Sequence, residues 1–160
     1  MSSLTIRHAT YGDEELILTL LHELAVYEKI EQRFKLTRAA IAGDFLGSSP
    51  RCFCEIACLG SEAIGIMTWY RIYSSFAGVR GIFLEDLYVR PACRGKGFGR
   101  ALLTHLAKQA VSENARYIDW FVIDWNKPSI DFYEGLRAEP VKGWLSYRLS
   151  GKALEDLAEA

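Results

Sequence analysis

This sequence lacks three features that would each indicate a class of function: an excess of one charge, a long apolar run, and a cluster of cysteine or histidine residues of metal-binding type. Its 160 residues carry 19 Lys and Arg against 20 Asp and Glu, a formal net charge of −1. Nonspecific nucleic-acid binding favours a strongly basic surface, so we predict no nucleic-acid partner. No apolar run approaches the roughly 18 residues that a membrane span needs, so we predict no membrane partner.

Cysteine occurs at only four positions, Cys52, Cys54, Cys58 and Cys93. The first three fall along one strand-like run, and their spacing matches no zinc signature. The three histidines are scattered, so we predict no metal site. Residues 1–10 have neither a basic start nor an apolar core, so we expect no signal peptide. Reduced thiols in a cytoplasmic protein are the expected state.

Half of the residues are hydrophobic, enough for one sizeable core, and we predict a single domain over residues 1–160. Apolar spacing and turn residues predict strands at 4–8, 52–59, 63–73, 81–89, 117–123 and 144–149, and helices at 12–27, 37–46 and 98–114. A further short helix begins at Pro128. This order predicts an α/β fold with a mixed sheet and helices on both faces.

A glycine-rich segment lies between the predicted strand 81–89 and the helix that follows it. It reads Arg94-Gly95-Lys96-Gly97-Phe98-Gly99-Arg100. Its glycines allow close approach of the backbone, the helix start presents N–H groups, and its three cations add donors for a pyrophosphate. An ordinary glycine-rich turn is the alternative. The Walker spacing G-x-x-x-x-G-K-[ST] and the dinucleotide spacing G-x-G-x-x-G are both absent.

The spacing R-G-x-G-x-G/A resembles the acetyl-coenzyme A loop of the GNAT superfamily of N-acetyltransferases. Other segments are similar to the diamine (spermidine/spermine) N1-acetyltransferases within it: Ile6-Arg7-His8-Ala9-Thr10, Glu23-Leu24-Ala25-Val26-Tyr27-Glu28, Leu84-Glu85-Asp86-Leu87-Tyr88-Val89 and Trp125-Asn126-Lys127-Pro128-Ser129-Ile130-Asp131-Phe132-Tyr133. The resemblance implies a GNAT-type, mostly antiparallel sheet with a splayed strand pair, acetyl-coenzyme A as acetyl donor, and a homodimer in which C-terminal strands interact.

Two positions depart from the family pattern. Arg137 stands where the family usually has a glycine after its Phe-Tyr pair, with Gly135 displaced, and this puts the local backbone in question. Lys142 precedes Gly143-Trp144, where the polyamine enzymes are more acidic. A lysine there argues against binding of a long polycation.

Glu85 is the candidate catalytic base. Holding a lysine-like amine neutral at pH 7 costs about 4.6 kcal/mol, and a nearby carboxylate can accept the proton directly or through water. Strand alternation predicts that Glu85 shares one face with Leu87 and Val89, while Asp86 faces the other way and is structural. Pairing of Glu85 with an arginine such as Arg71 is the alternative.

Tyr133 is the candidate general acid, because a phenol stays protonated at pH 7 and can donate to a departing thiolate. A tyrosine packed in the core is the alternative. Asn126 and Ser129 either contact the pantetheine or merely cap the helix that Pro128 opens. The resemblance also implies that the backbone of Leu87, Tyr88 and Val89 pairs with the pantetheine.

The amine side of the site is expected to combine aromatic and acidic residues, which suit an alkylammonium group. The residues at matching family positions are Tyr27, Glu28, Glu85, Asp119, Trp120 and Trp144. Core packing is the alternative for each tryptophan. We therefore predict an N-acetyltransferase for a small primary amine, by direct transfer in a ternary complex. An enzyme for another amine, such as an amino acid or a protein terminus, and a non-catalytic acyl-coenzyme A sensor are the alternatives.

Overall fold

The computed structural model describes residues 3–160. The chain forms two compact units, with the boundary between Ile123 and Asp124. Each unit is described by itself below. The single domain over residues 1–160 stays a prediction.

The first unit is built on a five-stranded sheet. Its strands are β1 (Leu4–His8), β2 (Phe53–Leu59), β3 (Glu62–Ser74), β4 (Val79–Val89) and β5 (Ala115–Trp120), in spatial order β1-β2-β3-β4-β5. Neighbouring strands are antiparallel except for the parallel pair β4–β5. The predicted mixed, mostly antiparallel sheet is confirmed. Strand β5 ends at Trp120, three residues earlier than predicted, where its ladder with β4 also ends.

Three helices accompany this sheet: α1 (Glu14–Tyr27), the single turn α2 (Arg38–Ala40), which continues as a π-helical segment (Ile41–Phe45), and α3 (Phe98–Ser112). The predicted cap at Thr37 is confirmed, since its Oγ1 accepts a hydrogen bond from the Ala40 N–H at 3.2 Å. This bond satisfies one of the free N–H groups at the helix start.

Helices cover both faces of the sheet. Helix α1 buries Leu20 and Leu24 in one apolar cluster with Cys54 and Ile56 of β2. Glu55 lies between these two strand residues and therefore points to the opposite face, where its carboxylate lies 3.9 Å from His105 of α3. The prediction of helices on both faces is thus confirmed within the first unit.

The second unit contains α4 (Lys127–Glu134) and α5 (Lys152–Ala158). The predicted strand at Trp144–Leu149 is wrong: these residues are irregular, and Trp144 and Tyr147 are 79% and 88% exposed. A strand requires a neighbour for its backbone N–H and C=O groups, and the segment has no ladder partner among residues 3–160. Helix α5 was not predicted; it has only seven residues and follows the N-cap residue Gly151, which provides no side-chain cap.

Candidate active site

A β-bulge at Glu85 shapes the centre of the first unit. Trp69 pairs with Leu84 and Thr68 pairs with Asp86, so Glu85 is the extra residue on β4. Bulges of this kind redirect side chains and occur often beside active sites. Glu85 is exposed, as a base that must reach a substrate has to be.

The predicted alternation of side chains is wrong at Glu85, because the bulge adds one residue to the strand there. Asp86 pairs with Thr68, and Tyr88, two residues further on, packs in the α1 core. Asp86 therefore lies on the α1 face of the sheet. Glu85 interacts with the same side, since its charge adds to burial in raising the pKa of Tyr70, which lies two residues from Thr68 on β3. The bulge thus brings both carboxylates to one side, where a regular strand would separate them.

Arg71 does not pair with Glu85. Its guanidinium donates two hydrogen bonds of 2.5 Å to Glu113 and lies 4.3 Å from the ring centroid of Phe53. Glu85 instead interacts with the Tyr70 phenol, and burial, followed by the charge of Glu85, raises the pKa of Tyr70. The Arg71 alternative for Glu85 is therefore wrong.

Asp86, which the sequence predicts to be structural, contributes a second carboxylate to this region. Its Oδ2 accepts a hydrogen bond of 2.5 Å from Thr68 Oγ1, and Thr68 is fully buried. Burial raises the pKa of Asp86 to about 6; the bond from Thr68 opposes the rise, while the charges of Glu85 and Glu28 add to it. Burial also raises the pKa of Glu28, at the end of α1. We call Glu28, Glu85 and Asp86 the acidic cluster.

Arg94 of the glycine-rich loop contacts Tyr27, one of the residues predicted to bind the amine. Its Nε donates to the Val89 carbonyl at 2.9 Å, and its guanidinium lies 4.3 Å from the ring centroid of Tyr27. The Tyr88 ring is 5.6 Å away. This is a cation–π contact at the distance where such contacts stabilise. The role of Arg94 as a hydrogen-bond donor to the pyrophosphate stays a prediction.

The parallel ladder between β4 and β5 stops well before β4 ends. Its last pair is Leu84 with Trp120, whereas β4 continues on β3 as far as the pair Val89–Gly65. Over residues 85–89 the side of β4 away from β3 is therefore not paired with β5. Asp119 and Trp120 lie at the end of the ladder, beside the bulge. This is the divergence expected of a splayed strand pair.

The glycine-rich loop has the geometry that close approach of an anion requires. Gly95 and Gly97 have φ of +74° and +83°, a left-handed region that favours glycine, and a Cβ on either would meet nothing within 4 Å. Helix α3 begins directly after Gly97. A cavity of about 400 Å³ opens beside this glycine, with Arg100 and Lys108 among its lining residues. Open backbone, a helix start and cations fit a pyrophosphate.

In the second unit, Asn126 is buried and its Oδ1 accepts from the Ser129 N–H at 3.4 Å. The capping interpretation of Asn126 is therefore confirmed, and its contact with pantetheine stays a prediction. Tyr133 lies in the last turn of α4 and is only partly buried. Arg137 adopts φ of +65°, the left-handed conformation that the glycine of the family pattern provides, whereas Gly135 has an ordinary helical φ of −63°.

Within residues 3–160 no group of three or more His, Cys, Asp or Glu side chains could hold a metal ion. All four cysteines are free thiols. None of the helices in this described range has the length and apolar character needed to cross a membrane.

Together, the mixed sheet, the diverging strands and the loop before α3 define the class of the protein as an acyl-coenzyme A-dependent transferase of GNAT type. The profile described as "Acetyltransferase (GNAT) family" matches residues 16–136. The chain belongs to this family and is a GNAT N-acetyltransferase.

Several characterised proteins are similar to the chain over nearly its whole length. A thialysine N-epsilon-acetyltransferase from Sus scrofa is 36% identical over 169 positions, covering 99% of each chain. An L-ornithine N5-acetyltransferase from Arabidopsis thaliana is 29% identical, covering 94% of this chain and 86% of its own. A spermidine/spermine N(1)-acetyltransferase-like protein from Homo sapiens is 32% identical, covering 99% of this chain and 24% of its own.

Solved structures share the fold. An integron cassette protein from V. cholerae superposes with a TM-score of 0.82 at 22% identity, covering 100% of this chain and 99% of its own. An aminoglycoside acetyltransferase from an uncultured soil metagenomic sample, in complex with sisomicin, gives 0.76 at 15% identity, covering 92% and 97%. At this level of identity the likeness concerns the fold alone.

Proposed function

We propose that the protein transfers the acetyl group of acetyl-coenzyme A to a primary amine of a small molecule, either a lysine-like amine or a diamine or polyamine, by direct attack in a ternary complex. The observation that carries this proposal is the acidic cluster, in which Glu28 follows Tyr27 directly in the chain. Carboxylates and an aromatic ring attract an alkylammonium group, and a carboxylate can remove its proton.

Glu85 is the proposed base. The bulge exposes its carboxylate at the point where β4 and β5 diverge, and burial, followed by the charge of Glu85, raises the pKa of the neighbouring Tyr70 phenol. Removing the ammonium proton at pH 7 costs about 4.6 kcal/mol for a group with the pKa of a lysine, and a carboxylate within reach supplies the acceptor.

The donor is proposed to lie along the unpaired side of β4 and over the glycine-rich loop. The backbone of Leu87, Tyr88 and Val89 would pair with the pantetheine, and residues 95–100 with the cations Lys96 and Arg100 would hold the pyrophosphate. Bound acetyl-coenzyme A supplies an activated acyl carbon as a thioester. A backbone N–H of β4, such as that of Val89, would face the thioester oxygen and stabilise its developing charge.

Tyr133 is the proposed general acid for the sulfur. Its side chain is partly buried at the end of α4, so it is not a fully packed core tyrosine. Asn126 caps the start of the same helix through the Ser129 N–H, and both residues are proposed to contact the pantetheine.

The proposed acceptor is a short diamine or a lysine-like amine rather than a long polyamine. The names of the relatives from Sus scrofa and Arabidopsis thaliana, a thialysine and an ornithine acetyltransferase, support this choice. Glu28 and Asp119 would hold the distal ammonium group, and Trp120 and Trp144 are the proposed aromatic contacts of the amine. Lys142 would repel a second distal cation by about 1 kcal/mol if solvent screens the pair.

The test is release of coenzyme A thiol with a panel of amines: thialysine, ornithine, putrescine, spermine, a free α-amino acid and a peptide N-terminus. We expect a higher kcat/KM for each of the first three amines than for spermine. The Lys142→Glu variant should raise kcat/KM for spermine more than for ornithine. A protein that prefers the peptide N-terminus, or a Lys142→Glu variant with an unchanged ranking, would contradict the proposal.

A homodimer and a cytoplasmic location complete the proposal. The exposed apolar residues of segment 144–149 support a contact with a second copy of this chain, because such side chains are usually covered in an assembly. Sedimentation of the wild type and of Trp144→Ser would test it. We expect a dimer that the substitution weakens; a wild-type monomer at micromolar concentration would contradict it. The location stays a prediction.

A further inference from the structure

Asp86 has a setting that the proposed mechanism does not yet use. The bulge at Glu85 places the carboxylates of Glu85 and Asp86 on the α1 side of the sheet. There Asp86 accepts a hydrogen bond from Thr68, and Glu85 interacts with Tyr70. Thr68 donates to Asp86 Oδ2 over 2.5 Å and is itself fully buried, so its hydroxyl is held in one place.

The surroundings of Asp86 are largely acidic or neutral. Charged and titratable groups that interact with it or border it are Glu28 at the end of α1, Cys52 before β2, Cys54 on β2, and Glu85 on β4. Burial, followed by the charge of Asp86, raises the pKa of the Cys52 thiol to about 12, so Cys52 is neutral at physiological pH. Burial, with smaller contributions that include the charge of Asp86, also raises the pKa of the Cys54 thiol. A cation entering this space would therefore meet three carboxylates and neutral thiols.

We propose, building on the amine acetylation proposed above, that Asp86 is a second proton acceptor of the active site, which shares the ammonium proton with Glu85 and is held for this task by Thr68. Asp86 is then a catalytic residue, whereas Thr68 is a positioning residue that acts through it.

The proton balance is simple. The substrate enters as an ammonium ion, and the Glu85–Asp86 pair, ionised beforehand, takes one proton. The neutral nitrogen forms the bond to the acetyl carbon, and the bond from that carbon to sulfur breaks. The departing thiolate takes a proton from Tyr133, and the second proton that the nitrogen loses restores the Tyr133 phenol. The carboxyl group returns its own proton to solvent before the next turnover.

Asp86 suits this task better than an ordinary carboxylate does. Its pKa of about 6 lies closer to neutral pH, so the protonated form that it must adopt is less unfavourable. The Thr68 hydroxyl donates to the charged form and lowers the pKa. Removing that hydroxyl must therefore raise the pKa of Asp86 further.

The first experiment measures the titration of Asp86 directly, without substrate. Carbon-13 NMR of aspartate-labelled protein follows its side-chain carboxyl, which is assigned from the resonance missing in Asp86→Asn. We expect a raised pKa in the wild type, a further rise of about one pH unit in Thr68→Val, and little change in Thr68→Ser, which keeps a hydroxyl. A wild-type Asp86 that titrates normally, or a Thr68→Val variant with no shift, would overturn the coupling.

The second experiment measures kcat against pH at saturating substrates. The acid limb should move upward in Thr68→Val by the shift seen in NMR, and stay in place in Thr68→Ser. Asp86→Asn should lower kcat at least tenfold, while calorimetry gives an unchanged affinity for acetyl-coenzyme A. An active wild type whose Asp86→Asn variant keeps its kcat would overturn this inference alone. A wild type that acetylates no amine would overturn the proposed function, and the inference with it.

Discussion

Replacing Arg137 by glycine should stabilise the protein. Arg137 has φ of +65° and an exposed side chain, and its backbone N–H donates to the Glu134 carbonyl at 2.8 Å, a bond that glycine can keep. The left-handed conformation costs an L-residue about 1–2 kcal/mol. Glycine loses more backbone freedom on folding than arginine does, and this loss offsets the gain in stability by about 0.4–1 kcal/mol. The difference predicts a gain of about 0.5–1 kcal/mol in the free energy of unfolding.

Urea denaturation followed by circular dichroism would measure this gain. Arg137→Ala is the matched control, since it removes the same side chain but keeps a Cβ in the left-handed conformation. We expect Arg137→Gly to be the more stable of the two variants, with a melting temperature higher by about 2–4 °C per kcal/mol. Equal stability of the glycine and alanine variants would refute the argument from backbone conformation.

Three further predictions concern the site. Gly97→Asp should abolish most acetyl-coenzyme A binding, because it adds bulk and negative charge where φ is +83°; calorimetry decides, and unchanged affinity in a folded variant would exclude the cradle. Tyr133→Phe should lower kcat at least tenfold with the donor affinity unchanged, and a near wild-type kcat would remove Tyr133 from the mechanism. Glu85→Gln should lose most rate at neutral pH and recover partly at high pH, where the amine is neutral unaided; an equal deficit at every pH argues against a base.

Much of the fold was readable because its patterns are local. The apolar spacing of α1, the cap at Thr37 and the hairpin between β2 and β3 each follow from a few neighbouring residues, and all three are present. The glycines at 95 and 97 were predicted to allow close approach of the backbone, and both have positive φ with open space where a Cβ would stand. Local chemistry of this kind does not depend on the rest of the chain.

Features that depend on pairing between strands could not be predicted from the sequence. The bulge at Glu85 is a property of the register between β3 and β4, and a strand that alternates regularly gives the wrong face for Glu85. The only signal was the pair of adjacent carboxylates, Glu85 and Asp86, inside an apolar strand, where burial of either is costly. The segment at Trp144–Leu149 failed for a related reason, since its apolar residues match a strand but no partner strand lies beside it among the described residues.

The position of Arg94 bears on how the two substrates influence each other. Its guanidinium lies over the ring of Tyr27, a proposed amine-binding residue, while its Nε donates to the carbonyl of Val89, a proposed donor-binding residue. If a bound pyrophosphate attracts this cation, an incoming ammonium group can take its place over the ring of Tyr27. Linkage is reciprocal, so an amine that displaces Arg94 from Tyr27 must favour donor binding by the same factor. The two substrates would then bind with positive cooperativity, and a single side chain would carry it.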